Sequence, residues 1–106
     1  MLVLKTRNEY DEFVKNNSHV IVKYSADWCK PCSVLTNIIN EMSDDELNGF
    51  KVVEVNCEED EFIELCDENK IKNLPTLIFY VNGEVVDRVS GTLTRAKLTE
   101  KTNQLK

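Results

Sequence analysis

The chain has 106 residues, with 13 Lys plus Arg against 19 Asp plus Glu, for a net charge of −6. Hydrophobic residues at 42% and charged residues at 30% suit a globular chain with one core, expected as one domain over residues 1–106. The acidic balance argues against nucleic acid or an anionic membrane as partner, and no apolar run reaches the roughly 20 residues of a bilayer span.

Met1 to Leu4 is a short apolar run that reads as an edge strand, and Lys5 ends it too early for a signal-peptide core. Thr6-Arg7-Asn8-Glu9 is a capping box, and Tyr10, Phe13 and Val14 follow with helical spacing. Val20-Ile21-Val22-Lys23-Tyr24 lacks polar alternation, as expected of a strand buried on both faces. Trp28-Cys29-Lys30-Pro31-Cys32 then leads into Leu35, Ile38, Ile39 and Met42, again at helical spacing. Pro31 fits the first turn of that helix, where its missing N–H costs nothing. Lys51 to Asn56 predicts a further buried strand, and Glu58 to Asn69 a helix with Phe62, Leu65 and Cys66 on one face. Thr76 to Val81, Asn82-Gly83 and Glu84 to Val89 predict a hairpin. Leu98, Thr102 and Leu105 mark a closing helix. The order β-α-β-α-β-α-β-β-α predicts an α/β fold, a central mixed β-sheet flanked by helices on both faces.

Cys29 and Cys32 carry the chemistry. A disulfide exchanger needs an attacking thiolate and a second thiol that resolves the mixed disulfide. At a helix start, free N–H groups and the helix dipole stabilise a Cys29 thiolate, and Cys32 lies one turn deeper. Cys29 is therefore the expected nucleophile and Cys32 the resolving thiol. Alone, Cys-x-x-Cys serves redox or metal chemistry; a strand before it and a helix after it favour redox.

Trp28-Cys29-x-Pro31-Cys32, the Leu74-Pro75-Thr76 segment, Asn82-Gly83 and Gly91 together resemble the thioredoxin family over nearly the whole chain. The resemblance implies a thioredoxin fold and a protein disulfide reductase acting through a Cys29–Cys32 redox disulfide. It implies a cis bond before Pro75 and a substrate-binding surface of Trp28, Lys30, Pro31, Leu74, Pro75 and Gly91. It also implies a cytoplasmic monomer with no bound cofactor and no metal. Its partners would be substrate proteins with disulfides and a thioredoxin reductase that passes on electrons from NADPH. The alternative is a protein-interaction module on the same fold with weak or no redox turnover.

The chain departs from the family pattern in several places. Lys23 stands where the family has a buried Asp that moves the proton of the resolving thiol. Glu54 interrupts the next strand, and a buried lone charge costs several kcal/mol, so the two are expected to pair below Cys32. The ammonium would then lower the Cys32 thiol pKa and Glu54 would accept its proton. Lys30 replaces the usual Gly, and an exposed cation beside the thiolate makes the disulfide more oxidising by roughly 10–20 mV. Asn37 replaces a kinking Pro, and Ser33 a common Lys.

Cys57 and Cys66 read as two structural free thiols, with regulatory oxidation of Cys57 a lesser reading; their spacing poorly matches zinc ligands. His19, the single His, reads as a surface or strand-edge residue without a visible partner.

Overall fold

Local chemistry sets the element boundaries in the computed structural model, which describes residues 1–106. Thr6 accepts the Glu9 N–H and the Glu9 carboxylate accepts the Thr6 N–H, so a capping box opens α1 (Arg7–Asn16). β1 (Leu2–Val3) precedes it. β2 (His19–Ser25), α2 (Lys30–Asn40), β3 (Lys51–Asn56), α3 (Asp60–Glu68), β4 (Thr76–Val81), β5 (Glu84–Ser90) and α4 (Arg95–Leu105) follow. α3 is shorter than the helical spacing predicts, because Glu59 is its N-cap and Asn69 its C-cap. At the hairpin, Asn82 and Gly83 have φ of 51° and 82°, the paired left-handed conformation of a tight two-residue turn.

The sheet order is β1-β3-β2-β4-β5. β3 lies parallel to both β1 and β2, and β4 runs antiparallel to both β2 and β5. Val20, Val22 and Tyr24 of β2 pack with Val53, Val55, Ile78 and Tyr80 beneath α1 and α3. On the other face, Ile21, Leu77 and Phe79 pack beneath Leu35 and Ile39 of α2 and Leu98 of α4. Burial on both faces explains why β2 shows no polar alternation. No helix is long and apolar enough to cross a membrane.

Two polar features sit inside these layers. The Tyr10 and Tyr80 hydroxyls are 2.6 Å apart and buried, tying α1 to β4. Burial, reinforced by neighbouring tyrosines, pushes the phenols of Tyr10 and Tyr24 above the usual range. His19 does have partners, contrary to the sequence reading: its ring meets Phe50 edge-on at 5.0 Å, and its Nδ1 lies 2.9 Å from the Ser18 hydroxyl. The strand start brings it over a phenylalanine that lies far along the chain.

Candidate active site

β2 ends at Ser25 and α2 begins at Lys30, so a short loop delivers Cys29 as the N-cap of α2. Its Sγ accepts the Cys32 N–H at 3.3 Å, using one of the donors that a helix start leaves free. Pro31 occupies the first turn without wasting a donor. Cys29 and Cys32 are joined in a disulfide with Cα atoms 5.3 Å apart. Both are buried, at 3% and 1% exposure, so depth barely distinguishes them. What separates them is position: the Cys29 sulfur faces the helix's free N–H groups, whereas Cys32 lies within the helix on its buried side.

The surroundings come from distant parts of the chain. Trp28 is 70% exposed and is not a core residue. Lys30 and Pro31 beside it are exposed as well. Leu74 packs against Ala26, Cys29 and Cys32. The Leu74–Pro75 peptide is cis, and the Pro75 carbonyl accepts the Gly91 N–H at 2.7 Å. Gly91 has φ of 91°, which favours glycine there. The Thr76 hydroxyl donates to the Asn73 carbonyl at 2.5 Å and closes the turn around Pro75.

Lys23 and Glu54 are direct register partners across β2 and β3. Lys23 is fully buried; its Nζ donates to Glu54 Oε1 at 2.7 Å and to Ser25 Oγ at 3.2 Å. The Thr36 hydroxyl donates to the same Glu54 oxygen at 3.2 Å. Thr36 lies one turn beyond Cys32 in α2, so the ion pair is held against the helix segment that carries the resolving cysteine. Glu54 remains 20% exposed and lines a cleft of about 270 Å³ with Ser25, Ala26, Asp27, Ser33, Thr36 and Asn37. Ala26 also packs on the Cys29–Cys32 pair, so one wall is common to the cleft and the disulfide. Ser25 and Thr36 are the partners that sequence reasoning missed. The signal for Thr36 was its helical offset from Cys32.

The family model named Thioredoxin matches residues 1–104. The chain belongs to the thioredoxin family. It is 31% identical over 98 residues to a thioredoxin of Mycoplasmoides gallisepticum, covering 92% of this chain and 94% of that one. It is 34% identical over 91 residues to thioredoxin Y1, chloroplastic, of Arabidopsis thaliana, covering 86% of this chain and 52% of that longer one; it thus spans about half of that relative. The X-ray structure of Fasciola hepatica thioredoxin superposes with a TM-score of 0.84 at 26% identity, covering 100% of both chains. The strand order and helix placement are those of the thioredoxin fold. With its Cys29–Cys32 disulfide, this thioredoxin is a thiol–disulfide oxidoreductase of the protein-disulfide reductase type.

The remaining cysteines correct the sequence reading. Cys57 and Cys66 are not free thiols but a second disulfide, with Cα atoms 5.9 Å apart. Cys57 continues the alternation of Val53 and Val55 toward the face covered by α3, and Cys66 lies on the inner side of α3 with Phe62 and Leu65. Two periodicities, read together, point both sulfurs into one layer.

Proposed function

We propose that this thioredoxin works as a cytoplasmic monomer that reduces protein disulfides and is recharged from NADPH through a thioredoxin reductase. The observation that carries the reading is the Cys29 sulfur at the N-terminus of α2, accepting a backbone N–H. In the reduced protein that setting favours the Cys29 thiolate. The thiolate attacks one sulfur of a substrate disulfide, the other sulfur leaves as a thiol, and a mixed disulfide forms. Cys32 then attacks the Cys29 sulfur, expels the second substrate thiol and closes the Cys29–Cys32 bond.

Substrate docks on Trp28, Lys30, Pro31, Leu74, Pro75 and Gly91. An extended substrate strand pairs with the backbone beside Pro75, a form of strand addition. Lys30 favours substrates with acidic surfaces. Cys32 must lose its proton before it attacks, and Glu54 takes that proton and passes it to water in the adjoining cleft. The Lys23 ammonium favours the resulting thiolate. In support, Glu54 is partly exposed while Lys23 is fully buried, so only the acid has a route to solvent.

The test is NADPH consumption with insulin and a thioredoxin reductase, together with stopped-flow resolution of a preformed Cys29 mixed disulfide. Wild type is expected to turn over and C29S to stop. E54Q is expected to slow resolution while leaving the first attack unchanged. No turnover by wild type would overturn the reductase cycle. Unchanged resolution in E54Q would remove Glu54 from proton transfer.

A further inference from the structure

The second disulfide ties the last turn of α3 back to the end of β3 and so closes a ring around the start of that helix. The ring it closes contains Glu58, Glu59, Asp60 and Glu61, a run of like charges. Glu59, the N-cap, makes no side-chain cap hydrogen bond, so this helix start lacks the lock that Thr6 gives α1. The Cys57 N–H donates to the Ser25 carbonyl at 2.9 Å, where β2 turns into the active-site loop. Leu74 packs both on the core layer containing Cys66 and on the Ala26, Cys29 and Cys32 cluster. One side chain is therefore shared by the surroundings of the two disulfides.

We propose that Cys57–Cys66 is a second redox centre, one that stays oxidised while Cys29–Cys32 cycles and opens only to a dithiol reductant strong enough to reduce both. Opening it frees the start of α3 and the Leu74 side of the active site. The order of opening follows from where the sulfurs sit. Reduction of Cys29–Cys32 yields a thiolate at a helix N-terminus, which stabilises the reduced form. Cys66 lies in the last turn of α3, at the negative end of the helix dipole, and is only 7% exposed. Both features disfavour its thiolate and make it a poor leaving group.

The step balances as an ordinary exchange. A thiolate of the dithiol attacks the sulfur of Cys57, the more exposed residue of the pair, and the Cys57–Cys66 bond breaks with Cys66 taking the electron pair and then a proton. The second thiol of the reductant attacks its own mixed-disulfide sulfur and releases Cys57. Two electrons pass to the protein, two cysteines become thiols, and the dithiol becomes a disulfide.

The experiment equilibrates oxidised protein with rising ratios of reduced to oxidised dithiothreitol, quenches with acid, alkylates and maps the labelled peptides by mass. Cys29 and Cys32 are expected to label first. Cys57 and Cys66 are expected to label together at a ratio roughly tenfold to a hundredfold higher. Labelling of all four at one ratio, or of Cys57 and Cys66 first, overturns the proposal. Hydrogen exchange on the same samples tests the brace: amides of residues 58–62 and 71–74 are expected to exchange about tenfold faster once the second pair opens. Unchanged exchange there overturns the coupling to α3 and Leu74. That freeing the Leu74 side alters substrate docking rests on the substrate surface proposed above. Neither readout uses a substrate, so failure of that surface and failure of this proposal are told apart.

Discussion

The two disulfides bridge similar spans, with Cα separations of 5.3 and 5.9 Å, but the backbone gives their sulfurs opposite surroundings. Cys29–Cys32 closes a tight ring at the start of α2, beside the exposed Trp28 and the cis Leu74–Pro75 peptide. Cys57–Cys66 joins a strand end to the far turn of α3 and packs into the large core layer under α1 and α3. The difference teaches that a pair of cysteines acquires its chemistry from the helix end it faces and from what packs on it. The sharpest way to break this contrast is to abolish each disulfide in turn by substitution. C32S is expected to lose steady-state insulin reduction by roughly a thousandfold or more, because mixed disulfides no longer resolve. C66S, assayed with Cys57 also replaced by Ser, is expected to keep kcat within about twofold. A large kcat loss in the second variant would show that the second disulfide takes part in the chemistry.

The ion pair beneath α2 gives the next largest effect. Removing Glu54 leaves Lys23 buried beside Ser25 alone. Breaking a buried pair from one side typically costs about 3–5 kcal/mol, and Glu54's partial exposure places E54A at the low end of that range. Urea unfolding of E54A measures it. K23M/E54Q is expected to lose less than E54A, since no unpaired ammonium remains. If E54A unfolds at the wild-type urea midpoint, the pair is not a stabilising contact beneath the active disulfide.

The second disulfide should matter more for stability than the first. Loop-closure entropy for a ring of about ten residues gives about 2.7 kcal/mol, against about 2 kcal/mol for a ring of about four. C57A/C66A is therefore expected to lower the unfolding free energy of the oxidised protein by about 2–3 kcal/mol. Reducing only Cys29–Cys32 in wild type is expected to cost less. The reverse order in denaturant titrations would show that the ring around the start of α3 was already closed by other contacts in the unfolded chain.

Much of this contrast was legible in the sequence, and the illegible part has a physical reason. The capping box at Thr6, the unbroken apolar run of β2 and the Asn82-Gly83 turn each act through neighbours along the chain. The Cys-x-x-Cys pair at a strand-to-helix junction was legible for the same cause. Pairing of Lys23 with Glu54 could be read because each is a charge interrupting an apolar run in adjacent strands, and the register sets them side by side. The Cys57–Cys66 bond depends instead on how α3 folds back over β3. Taken one element at a time, each cysteine is a small side chain on an apolar face. Ser25 and Thr36 escaped notice likewise: a hydroxyl next to a strand end or in a helix shows no partner until the layers are stacked.

The layer that the second disulfide fastens also carries the buried tyrosines, which supply a pH-dependent way to sharpen the comparison. Desolvation, with help from Tyr80, holds the Tyr10 phenol well above its ordinary value, and Tyr24 is shifted the same way. A raised folded value means the protonated form is favoured in the native state. The resulting stability is fully present below the unfolded value of about 10 and is lost as pH rises above it, at about 1.4 kcal/mol per pH unit for each tyrosine involved. At neutral pH, Y10F is expected to be about 1–2 kcal/mol less stable, since the Tyr80 hydroxyl loses its buried partner. Above about pH 10 the gap between wild type and Y10F should narrow, because only wild type must keep that Tyr10 proton. Urea midpoints measured from pH 8 to pH 11 test this. A gap that stays constant would mean that Tyr10 ionises as easily in the folded protein as in the unfolded chain. The layer under α1 and α3 would then be open enough to solvate a phenolate, and the second disulfide would not be fastening a dry core.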